Sequence, residues 1–319
     1  MKRFLFLLLL FVLGCCLGLS AQRDALNTQF MYNKIGYNPG FAGAKEATCL
    51  TAIYRNQWIG LEGSPTFQAF NANIPLVNQR VGVGLNIQRH TVGITESYQV
   101  NGIYAYRIRA GRGDLGIGVQ AGVGSLSQNW RDSRLVGTQP LEMDQAISGI
   151  QEQKYLFNVG AGLYYKTNNF FLGASVPRLL KNSIDFTNDM TMVSREVPHF
   201  YLMSGYAFSA GEGLAIQPQF LLRYVDNTPL DADLNISALI QEIFIVGLTY
   251  RLGGAKENAN GESLDVILAL HASDNLMFGL SYDFTLTDIR NYSSGSVEVA
   301  VQYCIGKSEG DEYINPRFF

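Results

Sequence analysis

Leu115-Gly116-Ile117-Gly118-Val119-Gln120-Ala121-Gly122-Val123-Gly124 alternates an apolar side chain with a small or polar residue along its whole length. A helix would repeat its apolar residues three and four apart; a period of two belongs to a strand. Leu115, Ile117, Val119, Ala121 and Val123 share one face, and the glycines and Gln120 share the other. The same pattern holds just upstream. Val81, Val83, Leu85 and Ile87 oppose Gly82, Gly84, Asn86 and Gln88, and Tyr98, Val100, Tyr104 and Tyr106 oppose Gln99, Asn101, Ala105 and Arg107.

Two strands precede these, Ala47–Tyr54 and Thr66–Pro75. Nine follow, near Tyr155–Lys166, Phe170–Val176, His199–Ser209, Leu214–Tyr224, Leu230–Ile240, Ile243–Leu252, Ser263–His271, Leu276–Phe284 and Ser296–Ile305. The total is fourteen, and even, as in bacterial single-chain outer-membrane barrels. The connections alternate. Ala110–Gly113, Thr167–Asn169, Ala210–Gly213, Gln241–Glu242 and Ala272–Asn275 are short. Ser127–Lys154, Pro177–Pro198, Gly253–Glu262 and Thr285–Gly295 are long, while His90–Thr95 and Val225–Pro229 are intermediate. Tight turns at one end and loops at the other are the habit of such barrels.

Alternation alone does not say which face is inside, since a soluble sandwich alternates too. Three features favour lipid on the apolar side. The strands have about the ten residues that a tilted strand needs to cross a bilayer. The opposite faces are rich in Gly, Gln, Asn and Ser, suited to a wet interior. Outward aromatics fall near strand ends, as interface girdles do: Tyr106, Tyr165, Phe171, Phe208, Phe244 and Phe278 on the turn side, and Tyr98, Tyr224, Tyr250 and Phe284 on the loop side. The expected fold is all-β, a transmembrane antiparallel up-and-down barrel of about fourteen strands.

Composition agrees. Charged residues make up 16% of the chain, against about 25% in a typical soluble domain. The net charge is −3 and no basic block appears, which argues against a nucleic-acid partner. Residues 1–21 have the layout of a signal peptide: Lys2 and Arg3, the apolar run Phe4–Leu13, and Leu19-Ser20-Ala21 before Gln22. The run is too short for a spanning helix. The expected division is a signal peptide at 1–21, a periplasmic or luminal approach segment at 22–46, a barrel at 47–306 and a tail at 307–319. A fourteen-strand barrel is wider than the filled barrels of eight strands. The long loops or Gln22–Glu46 are therefore expected to occlude it.

Few residues suggest chemistry. His90, His199 and His271 fall on separate segments, and no spacing ties them to a nucleophile or a metal. Asp231, Asp233 and Asn235, with Glu242, mimic a calcium loop, but Ile236 stands where the loop needs glycine. Gly82-x-Gly84 and Gly116-x-Gly118 open no helix, so they are not phosphate cradles. They read as inward glycines of a crowded or plugged barrel. No catalytic, cofactor or metal residue is assigned. Cys49 and Cys304 lie in the first and last strands, neighbours if the sheet closes. A bridge across that seam is available in an oxidising compartment; two small buried side chains are the alternative. Arg55, Gln57, Trp58 and Glu62 surround the tip of the first hairpin. Trp and Arg favour protein contacts, so these four are candidate partner-contact residues, unless the tip packs onto its own barrel.

Two stretches together resemble the opening of the PorP/SprF proteins of the type IX secretion system of Bacteroidota: Asn38-Pro39-Gly40-Phe41-Ala42-Gly43 and Tyr54-Arg55-Asn56-Gln57-Trp58-Ile59-Gly60-Leu61-Glu62-Gly63-Ser64-Pro65. Val176-Pro177, Ser281-Tyr282-Asp283-Phe284 and the ending Asn315-Pro316-Arg317-Phe318-Phe319 are similar as well. Lys34-Ile35-Gly36-Tyr37 departs, standing where a more apolar run is expected. The resemblance implies a multi-pass outer-membrane barrel and no enzyme. Its expected partners are outer-membrane lipid, type IX components on the periplasmic side, and a secreted cargo such as an adhesin, including those used in gliding. The polar interior leaves one alternative, a channel for small solutes.

Overall fold

The alternating segments become strands. The computed structural model describes residues 27–45, 47–76, 79–130, 132, 134–135, 151–184, 195–226, 228–253 and 261–305. The expected signal peptide, positions 22–26 and 46 of the approach segment, and the tail at 307–319 lie outside these. The first strands are β1 (Thr48–Asn56), β2 (Thr66–Leu76), β3 (Val81–Val92), β4 (Thr95–Ala110) and β5 (Gly113–Asn129). Then come β6 (Gln151–Lys166), β7 (Phe170–Val176), β8 (His199–Tyr206), β9 (Phe208–Gly211) and β10 (Leu214–Val225). The last are β11 (Asp231–Ile240), β12 (Phe244–Leu252), β13 (Ser263–His271), β14 (Leu276–Thr285) and β15 (Ser296–Ile305).

Pairing is antiparallel around the whole circuit. β15 returns to β1, from Thr48↔Ile305 to Asn56↔Val297, and closes the sheet. β8 and β9 both lie along β10, separated only at Ala207, so the wall is a closed barrel of fourteen strands. Parity sorts the side chains. Val119 and Val123 are 55% and 59% exposed on the outside, while Asn86, Asn101 and Gln120 are buried within. An apolar exterior around a polar interior is the pattern of a membrane barrel. Among the described residues no helix is long and apolar enough to cross a membrane.

The two ends differ as expected, with one change. β3 and β4 continue to a two-residue turn at Gly93-Ile94, where Gly93 supplies a φ of 58°. That loop-side connection is therefore as tight as the turns opposite. β4, β5 and β6 have 16, 17 and 16 residues and rise beyond their neighbours. Tyr106, Phe208, Phe244 and Phe278 face outward near the turns, and Tyr98, Tyr224 and Phe284 face outward near the loops. Phe171 does not join them. Leu172 takes the outward position on β7, so Phe171 points inward, where it is fully buried and stacks on Tyr164 at 5.6 Å.

The interior has its own apolar core. Phe30, Ile35, Tyr37, Phe41, Ala42 and Ala44 pack against Ile103, Tyr164, Phe171, Tyr201, Met203 and Leu221 of the wall. The first group comes from residues 27–45, which run through the barrel.

Candidate functional site in the lumen and at its rims

On the turn side, the segment Asn38–Gly43 lies on a bed of glycines. Asn38 shapes it, because its Oδ1 accepts from the Gly40 N–H at 2.8 Å. Pro39 presets the backbone of the short 3-10 turn Pro39–Phe41. The Asn38 amide also donates to the Leu163 carbonyl at 2.9 Å and clips the turn to β6. The fit is backbone to backbone. A Cβ on Gly118 would lie 2.2 Å from the Pro39 carbonyl carbon, one on Gly116 2.3 Å from the Gly40 oxygen, and one on Gly82 2.1 Å from the Ala42 oxygen. Gly43, at a φ of 69°, donates its N–H to Asn73 Oδ1 at 2.6 Å. Glycine is used here for close approach of two backbones.

Hydrogen bonds and rings complete this level. Asn33, Asn71, Asn86 and Asn101 form a ladder in which Asn71 donates to Asn33, Asn86 to Asn71 and Asn101 to Asn86. Ser175 donates to the Tyr37 carbonyl at 2.7 Å. Tyr37 meets Tyr201 at 5.3 Å, and Phe41 meets Tyr164 edge-on at 5.1 Å. Lys34, the departure from the expected apolar run, is buried with its Nζ 3.8 Å from the centre of the Phe171 ring. Burial, then Lys45 and Lys166, hold its pKa well below the ordinary lysine value. Lys45 donates to Gln302 Oε1 at 2.6 Å, and burial together with Lys166 lowers its pKa to about 8.

Toward the loop side an ion cage closes on the start of the same segment. Arg55, Arg223 and Arg251 meet Asp233, Asp265, Asp283 and Glu298, all of them buried and all near the loop-side ends of their strands. Arg55 contacts Asp283 at 2.5 Å and Glu298 at 3.3 Å. Arg251 contacts Asp233 at 2.9 Å and Asp265 at 3.6 Å, and Arg223 contacts Asp233 at 2.9 Å. Thr28 sits at the centre. Its hydroxyl donates to Asp283 at 2.8 Å and accepts from Arg55 at 2.8 Å. The Thr28 and Gln29 N–H groups both donate to the Glu298 carboxylate, at 2.9 and 2.8 Å. Five of these seven strands thus hold Thr28 or Gln29 directly, and Arg223 and Asp233 join the cage through Arg251. The carboxylates outnumber the arginines by one, and the backbone donors of the segment meet part of that excess.

The candidate hairpin residues separate. Arg55 points into the lumen, away from the exposed tip. β1 runs to Asn56, two residues beyond the expected end, so Arg55 shares inward parity with Thr51 and Ile53 and is only 2% exposed. Gln57, Trp58 and Glu62 stay at the tip. The Trp58 N–H donates to Ser296 Oγ at 3.1 Å, and Ile59 exchanges backbone bonds with Gly295 and Ser294. Gly93 donates to the Gly63 carbonyl at 2.9 Å. Trp58 is half-buried at a φ of 54°, uncommon for an aromatic residue, and these bonds pin it there. Leu61 and Glu62 remain exposed.

Cys49 and Cys304 are register partners across the closing seam and are joined as a disulfide. On β11, Asp233 and Asn235 face inward while Leu234 and Ile236 face outward. His90 and His199 line a polar cavity of about 170 Å³ on the loop side, and His271 borders one of about 70 Å³ on the turn side.

The sequence profile of the type IX secretion system membrane protein PorP/SprF matches residues 19–303. The chain belongs to the PorP/SprF family. Its stretch Asn38–Gly43 is the one that rests on the glycine bed, and Asp283 of its Ser281-Tyr282-Asp283-Phe284 belongs to the cage. No curated protein matches this PorP/SprF member by sequence. Solved outer-membrane barrels share its fold. The Ralstonia pickettii toluene transporter TbuX aligns with a TM-score of 0.51 at 11% identity, covering 86% of this chain and 94% of its own. The CymD monoaromatic hydrocarbon channel aligns with a TM-score of 0.50 at 11% identity, covering 87% and 94%. Fold and family together place the protein in the outer membrane, crossing it by strands.

Proposed function

We propose that this PorP/SprF member is a closed outer-membrane station that assists the export, anchoring or surface display of a type IX cargo protein, such as an adhesin. The observation that carries the reading is the filled lumen. Residues 27–45 occupy it, tied to the wall by the glycine bed on one side and the ion cage on the other. Work is therefore done at the two rims. The loop-side rim, with Gln57, Trp58 and Glu62, meets cargo; the turn-side rim meets the periplasmic components of the secretion system. TbuX and CymD carry small apolar molecules by their descriptions. A comparable solute route here would require the luminal segment to leave.

Deletion of the gene, followed by an inventory of surface proteins and a permeability assay, tests the proposal. One cargo or a small set is expected to vanish from the surface while uptake of small solutes stays the same. An unchanged surface inventory, or a loss of solute uptake with all cargo present, would overturn it.

A further inference from the structure

Most strands are paired along their length on both sides, but β6 is not. β5 pairs with it from Gln151 to Lys166, whereas β7 pairs with it only from Ala161 to Lys166. β7 ends at Val176 and the chain turns inward. A Cβ on Gly160 would lie 2.2 Å from the Pro177 oxygen, so Pro177 presses on β6 from the lumen. Gln120, an inward side chain, donates to that oxygen at 2.9 Å. Asn158 then fixes the return, its Oδ1 accepting from the Leu179 and Leu180 N–H groups at 2.9 Å each.

On the outside this inward turn leaves a trough of about 660 Å³ across β5, β6, β7, β8 and β10. Ala161 and Ala174 form its floor, small residues in rows otherwise filled by Leu, Val and aromatics. Val119 bounds one side, Phe200 and Tyr224 the other, with Leu179 above. Phe200 and Tyr224 hold each other with ring centres 6.2 Å apart.

We propose that the trough seats one acyl chain of a membrane lipid in the leaflet on the loop side. It is continuous with the lipid-facing wall, and Val176 and Tyr224 lie toward the loop-side ends of their strands. An unfilled void forfeits dispersion contacts along its lining, and an extended hydrocarbon chain restores them. A protein strand suits the place less well. The Leu179 N–H already occupies the Val159 carbonyl at 2.9 Å, and the Asn182 amide occupies that of Phe157 at 3.0 Å.

The test uses the purified full chain in phosphatidylcholine vesicles containing a diazirine-bearing palmitoyl phosphatidylcholine, with labelled residues mapped by mass spectrometry. Labelling around Ala161, Ala174 and Leu179 is expected to exceed that at similarly exposed Leu234 and Leu248 several-fold. It should also saturate with probe fraction while wall labelling climbs linearly. Filling the floor with Ala161→Phe and Ala174→Phe should remove the excess and leave the wall labelling unchanged. Labelling that follows exposure alone and never saturates in the unaltered protein overturns the proposal, whether or not the filled variant folds. A protein cross-linked at Leu179 in native membranes, in place of lipid, would overturn it too.

Discussion

A methyl group placed on Gly118 would fall 2.2 Å from a backbone atom of Pro39, where no flexible side chain can yield. Gly118→Val should therefore unseat the turn-side half of the luminal segment, at an overpacking cost of about 1–3 kcal/mol. Planar-bilayer recordings should change from rare events to steady conductance. Gly102→Val, on the outer face with only one distant neighbour, should leave them as they are. The cage gives a second prediction. Arg55→Met strands two buried carboxylates, a loss of about 3–5 kcal/mol that should appear as a lower urea midpoint in detergent. Arg55→Lys should not restore it, since an ammonium lacks the fork that spans Asp283 and Glu298. Lys45 gives a third. Its pKa falls from 10.5 to about 8 on folding. Between those values the unfolded chain keeps a proton that the folded one has released, so Lys45 makes stability rise with pH there and contributes no slope below the window. Lys34, held well below the ordinary lysine value, adds to the same rise. A series of urea midpoints against pH should show this rise, and Lys45→Met should make it shallower, leaving the part that Lys34 supplies. The buried Tyr32 and Tyr37 phenols, whose pKa burial raises, oppose the rise at the alkaline end.

At the scale of the strands, β4, β5 and β6 are longer than a bilayer needs, so their loop-side ends should stand in water. An impermeant maleimide should label Ser127→Cys on intact cells and pass over Val119→Cys on the lipid-facing band. Arg112→Cys, in the tight turn between β4 and β5, should react only once the outer membrane is breached. Labelling of Arg112→Cys on intact cells would mean the barrel is inserted the other way up. The strands themselves were legible because alternation is a local property, readable from ten residues at a time. So was the crowding of the lumen, because glycines at Gly82, Gly116 and Gly118 on an inward face leave room that something must fill. The cage was harder to see. Each of its seven members is one inward charge on its own strand, and only closure brings them to the same height. The missing signal was parity. With β1 running to Asn56, Arg55 falls in line with Thr51 and Ile53 and joins the other inward charges near the loop-side ends. Phe171 obeys the same rule: it stands near a strand end as a girdle aromatic does, but its parity on β7 turns it inward.

At the scale of the whole molecule, the luminal segment runs from the cage near the loops to Lys45 near the turns, and so blocks the barrel at two heights. Removing residues 27–45 should leave a wall that still closes but conducts, with a cage deprived of its Thr28 and Gln29 donors and a lower urea midpoint. A barrel that stays silent after that deletion would mean other parts of the chain occlude it. The bond between Cys49 and Cys304 has an effect of another kind. It joins residues 255 apart and turns nearly the entire wall into a covalent hoop. A protease that nicks any single surface loop would cut the hoop into a line without freeing a fragment. The clipped protein should migrate as one species until a reductant is added, and only then fall into two.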